Sequence, residues 1–392
     1  MQEITNSVIY LGQNDEHRDF FDELLPLEHG TSYNSYLIKG SEYNALIDGM
    51  YLKKADDYLK ELDSLNINID YIIANHGEQD HTGIYPKLLE KYPNAVIVTN
   101  NTCKMNLMNM LEIPENRIKV IQNGEELSLG DKTLRFMIAQ GVHWPDTMFT
   151  YLVEDNFLFT CDFLGAHYVV ENDIYAKPSE ELERATKKYY AEIMMPFRML
   201  CKKYLGMIEE LNPKMILPSH GCVYNEPKYI IDLYKDWTSD ECKNLVVFPY
   251  VSMYNNSKSM VDYVCEKLEK QGIECFKFDL IRGNMADLAV KLVDAKSIVL
   301  GCSMVLASPH PAAFSAAYLL TLMKPKAKNM SILASFGWGG KLVEPIAELL
   351  SKLKVNMIEP VLIKGNLKEA DYKLLDEFAD KLTALHKESV TV

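Results

Sequence analysis

Four short segments carry side chains that could bind metal: His76-Gly-Glu78-Gln-Asp80-His81, His143-Trp-Pro-Asp146, Cys161-Asp162 and Ser219-His220-Gly221. The donors they offer are His76, Glu78, Asp80, His143, Asp162 and His220, with His81 as a seventh that either ligates or orients the site from behind the ligands. Three carboxylates gathered among imidazoles are costly to bury unless a cation compensates them. Hard carboxylate oxygens with imidazole nitrogens and no thiolate suit a redox-active iron or manganese pair better than a structural zinc. His76, Glu78 and Asp80 alternate, so an extended segment would project all three to one side. Asp80 also stands where an acidic helix cap is expected, but capping accounts for Asp80 alone. Five of the nine histidines (76, 81, 143, 167 and 220) fall in or just after strand-end loops. His167 is expected behind the ligands, and Asp146 as a hydrogen-bonding loop residue.

The elements that must position these donors follow from the hydrophobic pattern. Strand-like runs are predicted at 33–38, 43–48, 71–75, 95–99, 133–139, 148–153, 157–161 and 215–218, with helical patterns at 52–63, 83–91, 101–111 and 180–211. The runs 33–38 and 43–48 read as one hairpin, and 147–162 as another turning at Glu154-Asp155-Asn156. Hairpins mixed with strand–helix alternation imply two mixed sheets covered by helices. Beyond residue 244 the rhythm is regular. Strands near 245–250, 274–279, 297–301, 330–335 and 357–362 alternate with helical stretches, which describes an open, doubly wound parallel sheet of five strands. The expected division is 1–244 and 245–392, with a hinge within 237–244.

Composition sets outer bounds. At 392 residues, about 150 per domain gives two or three domains. The formal charge of −14 argues against nucleic acid and anionic membrane as partners. No apolar run of membrane-spanning length and no secretory start are seen, so a cytoplasmic location is expected. The eight cysteines form no C-x-x-C pair, which excludes a built-in rubredoxin-like or zinc-ribbon module and fits reduced thiols.

The stretch H-x-E-x-D-H is similar to the metallo-β-lactamase signature H-x-H-x-D-H, with Glu78 replacing the second histidine. Together with His143, Asp162 and His220, and with the segments Gly30-Thr-Ser-Tyr-Asn-Ser-Tyr-Leu37, Met148-Phe-Thr-Tyr151, Met195-Pro-Phe197 and Pro218-Ser-His-Gly221, the chain resembles the flavodiiron proteins over essentially its whole length. The resemblance implies an N-terminal metallo-β-lactamase-like αββα sandwich followed by a flavodoxin-like domain. It implies one iron held by His76, Glu78 and His143, the other by Asp80 and His220 with or without His81, and Asp162 bridging the two. The implied activity is reduction of O2 to water and/or of NO to N2O. Reducing O2 to water takes four electrons, the number held by two ferrous ions and a reduced FMN. The resemblance also implies a head-to-tail homodimer or a dimer of dimers. Lacking its own C-x-x-C module, the chain would need a separate donor such as a rubredoxin or a reduced soluble cofactor.

Three loops of the second half resemble the FMN-binding loops of this family. Ser252-Met253-Tyr254-Asn255-Asn256-Ser257 leads into a helix whose N-terminus could hold a phosphate. Ser303-Met304-Val305-Leu306 and Ser335-Phe336-Gly337-Trp338-Gly339-Gly340 end later strands, and Trp338 offers a face to a flavin ring. Two departures stand out. Asn255 occupies a position usually held by glycine, and Gly301-Cys-Ser-Met-Val-Leu306 replaces the usual Gly-Ser-Pro-Thr-x-Asn. Tyr151, His167, Met148 and Phe197 are candidates for setting the preference between O2 and NO. The rival readings are a di-metal hydrolase with a flavodoxin-like appendage, a non-catalytic flavin carrier and a nuclease. The last is disfavoured by the acidic charge.

Overall fold

Alternation along the strands builds the first half of the chain into layers. The computed structural model describes residues 1–21, 24–170 and 173–388, and divides into two units, Met1–Thr238 and Ser239–Val392. In the first unit, seven strands form one sheet in spatial order: β1 (Gln2–Thr5), β2 (Val8–Tyr10), β3 (Tyr36–Lys39), β4 (Asn44–Ile47), β5 (Tyr71–Ile73), β6 (Val96–Thr99) and β7 (Ile118–Val120). Five more form a second sheet: β8 (Glu126–Ser128), β9 (Thr133–Ile138), β10 (Met148–Leu152), β11 (Phe157–Cys161) and β12 (Met215–Pro218).

Successive side chains of a strand point to opposite faces. Leu37, Leu46, Ile72 and Ile97 therefore pack outward, against Tyr58 and Leu62 of α1 (Ala55–Ser64), and beyond the short α2 (Gln79–Thr82) against Leu88 of α3 (Tyr85–Lys91) and Leu107 of α4 (Asn101–Leu111). Their neighbours Tyr36, Ile38, Ala45, Ile47, Ile73 and Val98 face inward and meet Leu134, Phe136, Met148, Leu152, Phe159 and Leu217 of the second sheet. Both predicted hairpins are present, with Tyr36 opposite Ile47 and Leu152 opposite Phe157. The helical run predicted at 180–211 is broken. It comprises α5 (Glu180–Tyr189), a π-turn over Tyr190–Met194, a 3-10 turn over Met195–Phe197 and α6 (Arg198–Leu211). Pro196 cannot supply the N–H that a continuous α-helix needs there. Tyr204 of α6 and Tyr234 of α7 (Pro227–Thr238) contact Phe149 and Phe163, which covers the second sheet. The layers are helix, sheet, sheet, helix.

The second unit is a parallel sheet in the order β14-β13-β15-β17, built from β13 (Lys243–Tyr250), β14 (Glu274–Asp279), β15 (Ala295–Val305) and β17 (Asn329–Phe336). Helices α8 (Asn256–Glu269) and α12 (Glu369–Lys387) pack Met260, Val264, Leu375 and Phe378 onto Val246, Phe248, Val299 and Leu333. Two details differ from the expected elements. The third strand does not end at 301. Cys302 and Ser303 stay paired with Ala334 and Ser335, and the chain turns only at Leu306 and Ala307, both at positive φ, into the antiparallel β16 (Ser308–Pro309). The expected fifth strand is two pieces, β18 (Asn356–Met357) and β19 (Val361–Lys364), both parallel to β17. Pro360 between them has no N–H to give the ladder.

Candidate metal centre

The loops that follow β4, β5, β11 and β12 converge, and buried polar side chains lock them together. Asp48, at φ 52° just after β4, accepts hydrogen bonds from Asn75 N at 2.9 Å, Asn75 Nδ2 at 3.2 Å and Ser219 Oγ at 2.9 Å. One carboxylate thus ties the segment carrying His76 to the segment carrying His220. Asn34 Nδ2 donates to the carbonyls of Pro218 and Gly221, and Tyr36 Oη donates to Pro218 O. Ser219 N donates to Cys161 O at 2.8 Å, joining the Asp162 loop to the His220 loop. Glu78 is the N-cap of α2, and Asp80 and His81 lie within its single turn.

All seven predicted ligands come together, in two groups divided by Asp162. On one side, His76 Nε2 lies 3.1 Å from Glu78 Oε2, and His143 Nε2 lies 3.3 Å from both Glu78 Oε2 and Asp162 Oδ2. On the other, Asp162 Oδ1 is 3.0 Å from His81 Nε2 and 3.2 Å from His220 Nε2, while Asp80 Oδ2 is 3.3 Å from His220 Nε2. The two oxygens of one carboxylate therefore face different donor groups. Both oxygens of Asp80, both of Asp162, and Nε2 of His81 and His220 are buried without a hydrogen-bond partner. Buried polar atoms are rarely left so, and donors orphaned toward a common space fit cations there.

The far sides of the rings are occupied. His76 Nδ1 donates to Asp146 Oδ1 at 2.8 Å, and His220 Nδ1 donates to Ser32 O at 2.7 Å. These bonds leave Nε2 as the lone-pair nitrogen aimed into the cluster. Asp146 also accepts from Gly77 N and Asn106 Nδ2, so the loop hydrogen-bonder holds a candidate ligand in its tautomer. Electrostatics agree. Burial opposes charge throughout, yet the carboxylates hold His143 up to about 9 and His220 up to about 10, and His76 and His81 are raised as well. In return, Asp80 and Asp162 are held below the carboxylate range by these histidines despite their burial.

The surroundings contain residues that patterning alone did not reveal. His167 does lie behind the ligands, its ring 5.4 Å from that of His220, and burial keeps it neutral. Tyr189, the last residue of α5, packs its ring 4.9 Å from His167 and 6.2 Å from His220. Trp144 lies edge-on to His76 at 4.8 Å. Of the other selectivity candidates, Met148 belongs to the inter-sheet core, Tyr151 donates to Asn156 at the hairpin turn, and Phe197 lies in the 3-10 turn.

In the second unit the three predicted loops sit at the C-terminal ends of β13, β15 and β17, adjacent strands of the sheet. Ligands of such sheets bind at this edge. Asn255 takes the left-handed conformation, φ 63°, and its side chain gives α8 no cap, so the N–H groups of Asn256 and Ser257 at the helix start are left for a phosphate. Ser252 Oγ accepts from Lys258 N at 3.2 Å. Other hydroxyls serve the scaffold: Ser257 donates to Cys302 O, Ser303 to Val251 O and Ser335 to Gly365 O. Met253, Tyr254, Leu306 and Trp338 are exposed, an unusual set of apolar side chains to leave in water around one sheet edge. Gly340 meets the turn of the preceding loop, where a Cβ would come 2.4 Å from Ala307 O. A helix N-terminus flanked by exposed apolar side chains fits a flavin mononucleotide.

Fold and site together define a metallo-β-lactamase-like unit with a two-lobed donor set, followed by a flavodoxin-like unit. The family described as ODP family beta lactamase matches residues 31–221. The chain is 32% identical to the coenzyme F420H2 oxidase of Methanocaldococcus jannaschii, covering 84% of each chain. It is also 32% identical to the anaerobic nitric oxide reductase flavorubredoxin of Aliivibrio salmonicida, over 89% of this chain and 72% of that one. The flavo di-iron protein of Thermotoga maritima, in a solved variant, superposes with a TM-score of 0.87 at 25% identity over 97% of this chain and 96% of that one. The rubredoxin oxygen:oxidoreductase of Desulfovibrio gigas superposes with a TM-score of 0.94 over 100% of both chains, a likeness of fold at 24% identity. The chain belongs to the flavodiiron protein family. It is an oxidoreductase.

Proposed function

We propose that this chain binds FMN and two irons and reduces O2 to water and/or NO to N2O, with electrons from a separate donor such as a rubredoxin or a reduced soluble cofactor. His76, Glu78 and His143 would hold one iron, and Asp80, His81 and His220 the other, with Asp162 between them. The carrying observation is that the two oxygens of Asp162 face different donor groups and lack hydrogen-bond partners. When bound, the iron pair would supply a redox centre for the diatomic substrate, and FMN would supply its electrons.

The chain's own residues do the rest. Asp146 and the Ser32 carbonyl hold two imidazoles with their lone pairs inward. Asp48 and Asn34 keep the ligand loops in register, and burial of Asp80, His81, Asp162 and His220 excludes bulk water from that half of the site. The N-terminus of α8 would anchor the FMN phosphate, and Trp338 and Tyr254 would flank the ring. The named activities of the relatives, nitric oxide reduction, F420H2 oxidation and oxygen reduction with rubredoxin, support the substrates and the donor class. The head-to-tail homodimer, or dimer of dimers, belongs to the same proposal, and sedimentation velocity tests it. So does a cytoplasmic location; among the described residues no helix is long and apolar enough to cross a membrane.

Anaerobic turnover with O2 and NO electrodes, alongside iron and flavin analysis of the same preparation, tests the reading. Protein loaded with both cofactors that consumes neither gas when given reduced rubredoxin would refute it. A zinc pair without flavin absorbance would favour the hydrolase instead.

A further inference from the structure

We infer that Arg18 is a positioning residue that draws small anions to the Asp80–His220 side of the metal centre. The inference rests on the two-metal reading above. Its observation is an unpaired cation held in an aromatic cage. The Arg18 guanidinium carbon lies 5.1 Å from the Phe21 ring centroid, 5.0 Å from that of Tyr51 and 6.0 Å from that of Tyr33. Its Nη1 donates to Tyr33 Oη and its Nε to Phe20 O. Among the described residues those are the guanidinium's polar partners, and none is a carboxylate. A guanidinium has five N–H donors, so several stay available. In a chain with 55 acidic residues against 41 lysines and arginines, a guanidinium with no carboxylate partner among the described residues is conspicuous.

Two walls of the cage are also walls of the ligand cluster. Tyr33 is fully buried, its ring 5.7 Å from the His220 ring. The Phe21 ring lies 4.4 Å from His167 and 6.4 Å from His220. The guanidinium is therefore one ring removed from a candidate ligand. Burial alone would favour its neutral form, but the Tyr33 hydroxyl and the charge of Asp80 more than offset that. Aromatic faces hold a cation without neutralising it. The positive charge thus stays available to a small anion taken up by the metals, and charge near a low-dielectric site raises the local concentration of the opposite sign.

Azide is the probe. Oxidised, iron-loaded protein is titrated with azide and followed by the azide-to-iron absorption band, with iron content measured on each sample, for wild type, R18Q, R18M, R18K and Y33F. R18Q and R18M should bind azide about tenfold more weakly, about 1.4 kcal/mol, at unchanged iron content. R18K, which restores the charge, should stay within about threefold of wild type. Y33F, which keeps the charge and loosens its anchor, should fall between. Wild-type affinity in R18Q, or an R18K as weak as R18Q, would overturn the inference. Should R18Q lose iron, R18K and Y33F carry the comparison. Iron-loaded wild type that shows no azide response refutes the role of Arg18 and leaves the two-metal reading standing. Wild type that takes up no iron refutes both.

Discussion

Replacing Asp146 by asparagine isolates the proton that decides whether His76 can ligate. Asp146 is fully buried and accepts from His76 Nδ1 at 2.8 Å through one oxygen, and from Gly77 N at 3.0 Å and Asn106 Nδ2 at 2.8 Å through the other. In D146N the single amide oxygen best serves the side with two donors, which leaves the amide NH2 facing His76 Nδ1. That nitrogen must then accept, and its proton moves to Nε2, the atom 3.1 Å from Glu78 Oε2. A protonated Nε2 has no lone pair for a metal. Losing the residue that orients a ligand costs roughly 10–100-fold in metal affinity, about 1.4–2.7 kcal/mol. The lost charged hydrogen bond costs about 1.5–3 kcal/mol of stability on top. Chelator competition on protein stripped and reloaded with iron(II) measures the first quantity, and urea unfolding of the stripped sample the second. The expected D146N protein is folded, weakened at the His76 group and close to wild type at the Asp80 group. Wild-type affinity for both metal equivalents would refute the tautomer reasoning.

Three further outcomes are expected. D162A removes the carboxylate facing four imidazoles and should leave about one metal per chain or fewer by elemental analysis; retention of two would break the bridging assignment. Glu192 is pushed up to about 8 by burial, which Lys188 opposes and Glu28 reinforces, and both its oxygens lack partners. Because its folded pKa lies above the ordinary unfolded value, stability is full below about 4.5 and falls as pH rises through about 8. From pH 5 to pH 9 wild type should lose about 4 kcal/mol more than E192Q, read by urea unfolding, and parallel curves would contradict the burial argument. G340A places a Cβ 2.4 Å from Ala307 O and should weaken FMN binding roughly tenfold, ~1.4 kcal/mol, by flavin fluorescence; undiminished affinity would remove this loop from the flavin site.

The side chains that converge were legible because their chemistry is local: imidazoles and carboxylates at strand ends are improbable as ordinary loop residues. The framework behind them was not. Asp48 read as the end of a strand, Asn34 and Ser35 as part of another, and Tyr189 as a helical residue, because each acts through a partner distant in sequence. Asp48 bonds Ser219, Asn34 bonds Gly221, and Tyr189 reaches His220. A single pattern cannot carry such pairings. The sheets were legible where the apolar run was strong, as in the three-residue β5 within 71–75, and obscure in the short, mostly polar β1 and β8 and in the three-residue β2 and β7. In the second unit the third strand ran past its predicted end because Gly301, Cys302 and Ser303 keep their pairing with Leu333, Ala334 and Ser335, a partner the local pattern does not carry. The turn that does come uses Leu306 and Ala307, residues rarely found at positive φ.

Charge counting explains why the cluster favours two cations over one. Glu78, Asp80 and Asp162 face the same buried space, and among the described residues only histidines lie within ion-pair distance of them. Without metal, compensation falls to the imidazoles, which is why His143 and His220 are held up to about 9 and about 10 against the pull of burial. An imidazole that ligates through Nε2 cannot also keep a proton there. One divalent ion therefore leaves a net charge of minus one in a buried site while displacing the protons that balanced it. Two divalent ions leave plus one, which a single small anion on the metals neutralises, and an uncompensated buried charge of either sign is costly. Glu78 sets that balance. A histidine there would leave plus two and a more electrophilic pair, closer to the needs of a hydrolase than of an oxidoreductase whose metals must gain positive charge on oxidation. The caged Arg18 lies on the same side of the ledger: it adds to a site already left positive by two metals, and so favours the anionic ligand that completes it.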